Sequence, residues 1–108
     1  ARLKALYRRG EVRSKKVTWG PLLLLVEERQ VRRDGSPVRL TGKEYEVLEL
    51  LMLNPGRVFT REEVLERIWG LGYDTPSNLV DVYVKNLRRK LADGLVETVR
   101  GVGYRFPG

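Results

Sequence analysis

Two helix starts written into the chain constrain its fold more than any other feature. Thr41-Gly42-Lys43-Glu44 and Thr60-Arg61-Glu62-Glu63 both follow the S/T-x-x-E pattern of a capping box. In that motif the Thr hydroxyl and the Glu carboxylate each accept a hydrogen bond from the other residue's backbone N–H. Behind the first box, Tyr45, Leu48, Leu51 and Met52 recur at helical spacing, and Asn54-Pro55-Gly56 stops the helix. Behind the second come Val64, Leu65, Ile68 and Trp69. Gly70–Thr75 reads as a loop, and Pro76, suited to a first helical turn, lies near the start of a third helix over residues 76–92. Ahead of the helices stand three strand candidates, Leu22–Val26, Arg29–Arg33 and Val38–Leu40. The cluster Asp34-Gly35-Ser36-Pro37 turns the chain between the last two. A short strand is expected between the first two helices, and Leu95–Arg100 and Tyr104–Phe106, about Gly101-Val102-Gly103, form a closing β-hairpin. This order predicts an α+β fold: an N-terminal antiparallel β-sheet, three helices and a C-terminal hairpin.

At 108 residues the chain has room for one modest core. Its longest apolar run, Leu22–Val26, falls far short of the roughly 18–20 residues that a membrane-spanning helix needs. Cysteine and histidine are both absent. That removes disulfides, a thiol nucleophile, the commonest general base and the commonest metal ligand. No catalytic role, cofactor or metal is therefore expected. The net charge of +7 points toward nucleic acid or another anionic surface. Residues 1–16 hold seven basic side chains against Glu11 alone, residues 41–69 are net −2, and residues 78–108 are net +3. The first nine residues lack the apolar core of a targeting sequence, and Leu3, Leu6 and Tyr7 mark one side of a helix. Gly10–Lys16 reads as a polar linker, so the folded domain is expected over residues 17–108.

The third helix has two unlike faces. At about 100° per residue, Val80, Val84, Leu87 and Leu91 fall within about 60° of one another and form a core stripe. The opposite side collects Asn78, Leu79, Val82, Lys85, Asn86 and Arg89, with no carboxylate, while Asp81 falls to one side. Cations that meet phosphate, amides that pair with adenine and aliphatic groups that touch thymine methyls suit a DNA major groove. The plainer alternative is that Leu79 and Val82 pack on a neighbouring element or subunit. A helix pair followed by a hairpin with Arg100 near its tip is winged-helix order, and an arginine there can enter a narrow minor groove. On its own an arginine there is more commonly an ordinary exposed one beside a turn. Glu62, Glu63 and Glu66 sit in the first turns of a helix, where its dipole favours them, and need no catalytic reading. Trp69 serves as a core-edge anchor, a phosphate donor or both.

Leu40-Thr41-Gly42-Lys43-Glu44-Tyr45, Asn54-Pro55-Gly56-Arg57-Val58, Thr60–Leu65, Ile68-Trp69-Gly70, Val80–Val84, Leu87–Leu91 and above all Thr98–Phe106 resemble successive motifs of the OmpR/PhoB-type response-regulator effector domain. The resemblance covers about residues 20–107. It implies a winged helix that binds double-stranded promoter DNA at tandem half-sites, as the cytoplasmic output of two-component signalling. By this resemblance Leu79, Val82, Tyr83 and Asn86 lie nearest the bases. Arg61, Trp69, Asn78, Lys85, Arg88, Arg89 and Thr98 meet phosphates, and Arg100 is the minor-groove residue of the wing over residues 95–106. Gly70, Leu71, Gly72, Tyr73, Asp74 and Thr75 match the loop that meets RNA polymerase. Residues 1–9 resemble the end of the last receiver-domain helix, which implies a preceding receiver domain, a cognate histidine kinase, and an isolated domain that is monomeric and pairs on DNA. Asn78 and Asn86 depart from the pattern, standing where relatives frequently carry arginine. Two rival readings are a winged helix used for protein–protein contact and an RNA-binding module. The basic residues 85 and 88–90 oppose the first, and the shortage of aromatics on the contact face opposes the second.

Overall fold

The computed structural model describes residues 15–70 and 78–107. Two compact units divide between Arg39 and Leu40. The first is a four-stranded antiparallel sheet in sequence order: β1 (Lys16–Trp19), β2 (Leu22–Leu25), β3 (Gln30–Arg33) and β4 (Ser36–Val38). Strand β1 is not among the sequence expectations. It begins at Lys16, the last residue of the expected linker, and pairs Lys16–Trp19 with Leu25–Leu22. Two apolar residues in alternation are a weak local signal, and pairing along β2 supplies what the pattern lacks. The reversal between β3 and β4 is also tighter than expected. Asp34 and Gly35 alone form it, both with positive φ (52° and 83°), as a two-residue hairpin requires. Ser36 and Pro37 therefore belong to β4 rather than to the turn, and the strand is Ser36–Val38 instead of Val38–Leu40. An edge strand tolerates Pro37 because its missing N–H faces no partner. Leu22, Leu24 and Val31 are buried on one face of this sheet.

In the second unit, α1 (Gly42–Met52) starts as the capping box predicts. Glu44 N–H donates to Thr41 Oγ1 at 3.2 Å and Thr41 N–H donates to Glu44 Oε1 at 3.0 Å. The second box closes only halfway. Thr60 Oγ1 accepts from Glu63 N–H at 3.0 Å to start α2 (Arg61–Trp69). Thr60 is, however, also the last residue of β5 (Val58–Thr60), paired with Gly103, and the Glu63 carboxylate turns to Arg57 and Arg67. Helix α3 is described over Asn78–Lys90. The start expected near Pro76 lies outside the described residues, as do residues 1–14 and the loop from Leu71 to Thr75.

The stripe Val80, Val84, Leu87 and Leu91 is buried to within 1% exposure, joined by Tyr45, Val47, Leu48, Leu51, Met52, Phe59 and Val64. From α2 only Val64 is fully buried; Leu65, Ile68 and Trp69 are half-exposed. After α3, Asp93–Leu95 forms a 3₁₀ turn that takes up Leu95, the first residue of the expected strand, as Leu95 and Val96 are drawn into the core. The hairpin is thus shorter than its sequence pattern: β6 (Glu97–Val99) and β7 (Gly103–Arg105). It is also not alone. Strand β5 pairs with β7, giving a three-stranded sheet in the order β5-β7-β6. The two hairpin glycines differ in role. Gly101, at φ 74°, supplies the left-handed residue of a turn closed by Val102 N–H on Val99 O at 2.9 Å. Gly103 is needed for closeness, since a Cβ there would stand 1.9 Å from the Phe59 carbonyl oxygen.

Candidate nucleic-acid interface

Helix α3 presents four sides, and its burial sorts the candidate contact residues among them. Opposite the core stripe runs an open line, Asn78, Val82, Lys85 and Arg89, at spacings of four, three and four residues. All four are exposed; Val82, at 49%, is one of two large apolar side chains exposed in this way among the described residues. Among the described residues, Lys85 and Arg89 make no ion pair or hydrogen bond.

One flank of α3 faces the other helices. Tyr83 meets Trp69 edge-on, with ring centroids 5.1 Å apart. Lys43 sits 5.7 Å from the Trp69 ring centroid and donates to Ile68 O at 2.8 Å, placing a cation on the last carbonyls of α2. Lys90 donates to Glu44 Oε1 at 2.7 Å, and the Asn86 side chain lies near the same carboxylate. Burial pushes the Glu44 pKa up. The bonds from Lys90 and the Thr41 backbone, the Lys90 charge and the nearby Asn86 amide outweigh burial and hold it below the ordinary carboxylate range. Leu79 lies half-buried on the same flank. Of the four residues expected nearest the bases, Val82 alone stands on the open line, while Leu79, Tyr83 and Asn86 border it.

The other flank faces the hairpin. Asp81 Oδ1 accepts from Arg61 Nε at 2.8 Å and from the Tyr104 hydroxyl. Burial opposes ionisation of Asp81, but these two donors and the Arg61 charge lower its pKa overall. Burial and the Asp81 carboxylate raise that of Tyr104, against the opposing effect of Arg61. Arg88 donates through Nη2 to Val96 O at 2.7 Å and to Thr98 Oγ1 at 2.8 Å, and through Nε to Val96 O at 3.2 Å. The guanidinium carbons of Arg61 and Arg88 lie 5.5 and 5.9 Å from the Tyr104 ring centroid.

Two expected phosphate contacts therefore have work inside the protein. Arg61 holds Asp81, and Arg88 holds the hairpin. Thr98 is exposed, with its oxygen accepting from Arg88. Arg100 is exposed in the turn beyond the last ladder pair, Val99 with Gly103, and Val102 beside it is 47% exposed. Gly70 caps α2, its N–H donating to Glu66 O at 2.9 Å; the rest of the expected polymerase loop lies outside the described residues. Sequence reasoning assigned no role to Asp81 or Tyr104. The available signal was spacing: Asp81 and Arg88 are seven residues apart, about two helical turns, and so share one side of the helix.

The family model described as "Transcriptional regulatory protein, C terminal" matches residues 35–106. The chain is 45% identical over 105 residues to the regulatory protein VanRB of Enterococcus faecalis, covering 97% of this chain and 48% of that protein. It is 44% identical over 113 residues to the response regulator MprA of Mycolicibacterium vanbaalenii, covering 96% of this chain and 49% of that one. The chain thus spans about half the length of the curated relatives it matches. Among solved structures, DrrB of Thermotoga maritima, an OmpR/PhoB homologue, aligns with TM-score 0.82 at 32% identity, over 98% of this chain and 51% of that one. The DNA-binding domain of Klebsiella pneumoniae RstA, solved in complex with the RstA box, aligns with TM-score 0.76 at 32% identity, over 87% of this chain and 99% of that one. The order of strands and helices, the hairpin beside α3 and these likenesses agree: the chain belongs to the family of transcriptional regulatory protein C-terminal domains, the winged-helix DNA-binding domains of OmpR/PhoB type.

Proposed function

We propose that the chain binds double-stranded promoter DNA sequence-specifically and serves as the output domain of a response regulator, with α3 in the major groove and the hairpin wing over an adjacent minor groove. The observation that carries this reading is the open line on α3. It sets an exposed aliphatic group, Val82, between Asn78, Lys85 and Arg89, with no carboxylate on the line. Lys85, Arg89 and Asn78 are placed to neutralise or bond phosphates, and Val82 to touch base edges. Asn86, Leu79 and Tyr83 supply the border of the same contact, and Trp69, Thr98 and the remaining donors of Arg61 lie toward the flanking backbone. Arg100 enters the minor groove. The solved complex of the similar RstA domain with its box supports this reading. In the whole protein a receiver domain, phosphorylated by a histidine kinase in the cytoplasm, would precede this chain. Two copies would pair on tandem half-sites and the α2–α3 loop would meet RNA polymerase.

The test is a binding series on a duplex selected from a random library. Val82 is exposed, so Val82→Asp should leave the melting temperature nearly unchanged. It places a carboxylate against phosphates and should lower affinity at least about a hundredfold. Arg100→Ala should lower the slope of log K against log salt by about one and weaken preference for A·T-rich flanks. Unchanged binding by the Val82 variant would remove α3 from the groove.

A further inference from the structure

We propose that Asp81 and Arg88 are positioning residues for DNA binding, fastening the wing to α3 so that the groove contact of Arg100 depends on bonds made within the domain. The inference rests on the reading of the wing as a DNA contact and adds what holds that wing in place. The two residues stand about two turns apart on one side of α3. They reach different strands of the hairpin: Asp81 takes the Tyr104 hydroxyl from β7, and Arg88 takes Val96 O and Thr98 Oγ1 at the start of β6. A single tie between a helix and a hairpin leaves a pivot. Two ties separated along the helix fix the angle as well as the distance. Between them lies the Tyr104 ring, with the guanidinium groups of Arg61 and Arg88 near it and Arg61 bonded to Asp81 in turn, so the start of α2 joins the same assembly.

The hairpin needs such fastening. Strand β5 holds β7, but β6 is the outer strand, and a sheet of three-residue strands has little stability of its own. On a duplex the major and minor grooves are offset by a set distance. A wing held at the right angle meets the minor groove without further ordering, whereas a wing free to swing must be ordered on binding and gains less from its tip.

The test is a set of double-mutant cycles, read as affinity for the selected duplex. In the wild-type chain Arg100→Ala should weaken binding about tenfold, as loss of a groove arginine does. Arg88→Lys keeps the charge but cannot reproduce the forked bonds to Val96 O and Thr98 Oγ1. In that background the cost of Arg100→Ala should shrink to about twofold. Asp81→Asn should shrink it in the same way. Thr98→Val removes the Arg88 bond to Thr98 Oγ1 from the exposed side of the hairpin, leaves those to Val96 O, and keeps the test open if an α3 variant folds poorly. An effect through stability alone would lower affinity without changing what Arg100 contributes. Equal costs of Arg100→Ala in every folded background would overturn the proposal. No cost of Arg100→Ala in the wild-type chain would overturn the wing reading itself, and this inference with it.

Discussion

Arg88 and Arg89 are adjacent, chemically identical and close to the end of the same helix, yet one step of about 100° separates two regions of the molecule. Arg88 lies on a flank whose charged residues are bonded within the domain: Arg88 to the Val96 carbonyl and the Thr98 hydroxyl and, two turns earlier, Asp81 to Tyr104 and Arg61. Arg89 lies on the open line with Asn78, Val82 and Lys85. The bonded flanks build the domain; the open line is the face that the proposed DNA contact would complete. A cation acts on DNA most directly when the protein has not already neutralised or bonded it, so basic residues near a groove face are not equivalent contacts.

The largest expected effect strikes the bonded side from a distance. Gly103→Ala would press a methyl group into the Phe59 carbonyl, 1.9 Å from its ideal position, so β5 and β7 must separate. Tyr104, the next residue, would leave Asp81. Denaturant unfolding should show a loss of roughly 3 kcal/mol or more, at the upper end for single substitutions. A loss below about 1 kcal/mol would mean that the wing is not held through β5.

Next in size is the pH dependence. Glu44 and Asp81 both have pKa values lowered on folding, so the stability they contribute is present above the ordinary carboxylate range. It should be lost as pH falls through their folded values. Tyr104 is shifted the other way. Its contribution is complete below the ordinary phenol pKa and should be lost as pH rises through the raised folded value. Melting temperature against pH should therefore be flat around neutrality and fall on both sides. Glu44→Gln should flatten much of the acid limb and cost about 1.5–3 kcal/mol at neutral pH, the range for a hydrogen bond to a charged group. Tyr104→Phe should abolish the alkaline limb. An acid limb unchanged in the Glu44 variant would show that its carboxylate is not held by Lys90.

The smallest effects separate the two arginines. Arg88→Ala should destabilise the fold by about 1–2 kcal/mol, through loss of its bonds to the hairpin. Arg89→Ala should change stability by less than about 0.5 kcal/mol while lowering the salt slope of duplex binding by about one. Paired melts and binding series would decide this, and equal behaviour in both assays would erase the distinction between flank and open line.

Local chemistry made much of this legible. The N-cap at Thr41, the stop at Asn54-Pro55-Gly56, the turn at Asp34-Gly35 and the stripe Val80, Val84, Leu87 and Leu91 all follow from residues within a few positions of one another. So does the family, because its motifs are short runs in fixed order. Other features depend on pairings that the pattern of a single segment does not show. β1 exists because β2 lies beside it, and Glu63 turns from Thr60 because Arg57 and Arg67 are near. Gly103 is a glycine because β5 passes too close for a Cβ, not because the turn requires a positive φ there. The sequence by itself determined that helix α3 has a core side and a polar side, since helical periodicity is a property of the helix alone. Only the tertiary structure decided which of its polar groups are bonded, because a side chain's hydrogen-bond partner is set by distance in space, and Arg88 finds Thr98 only once the hairpin has folded back across α3.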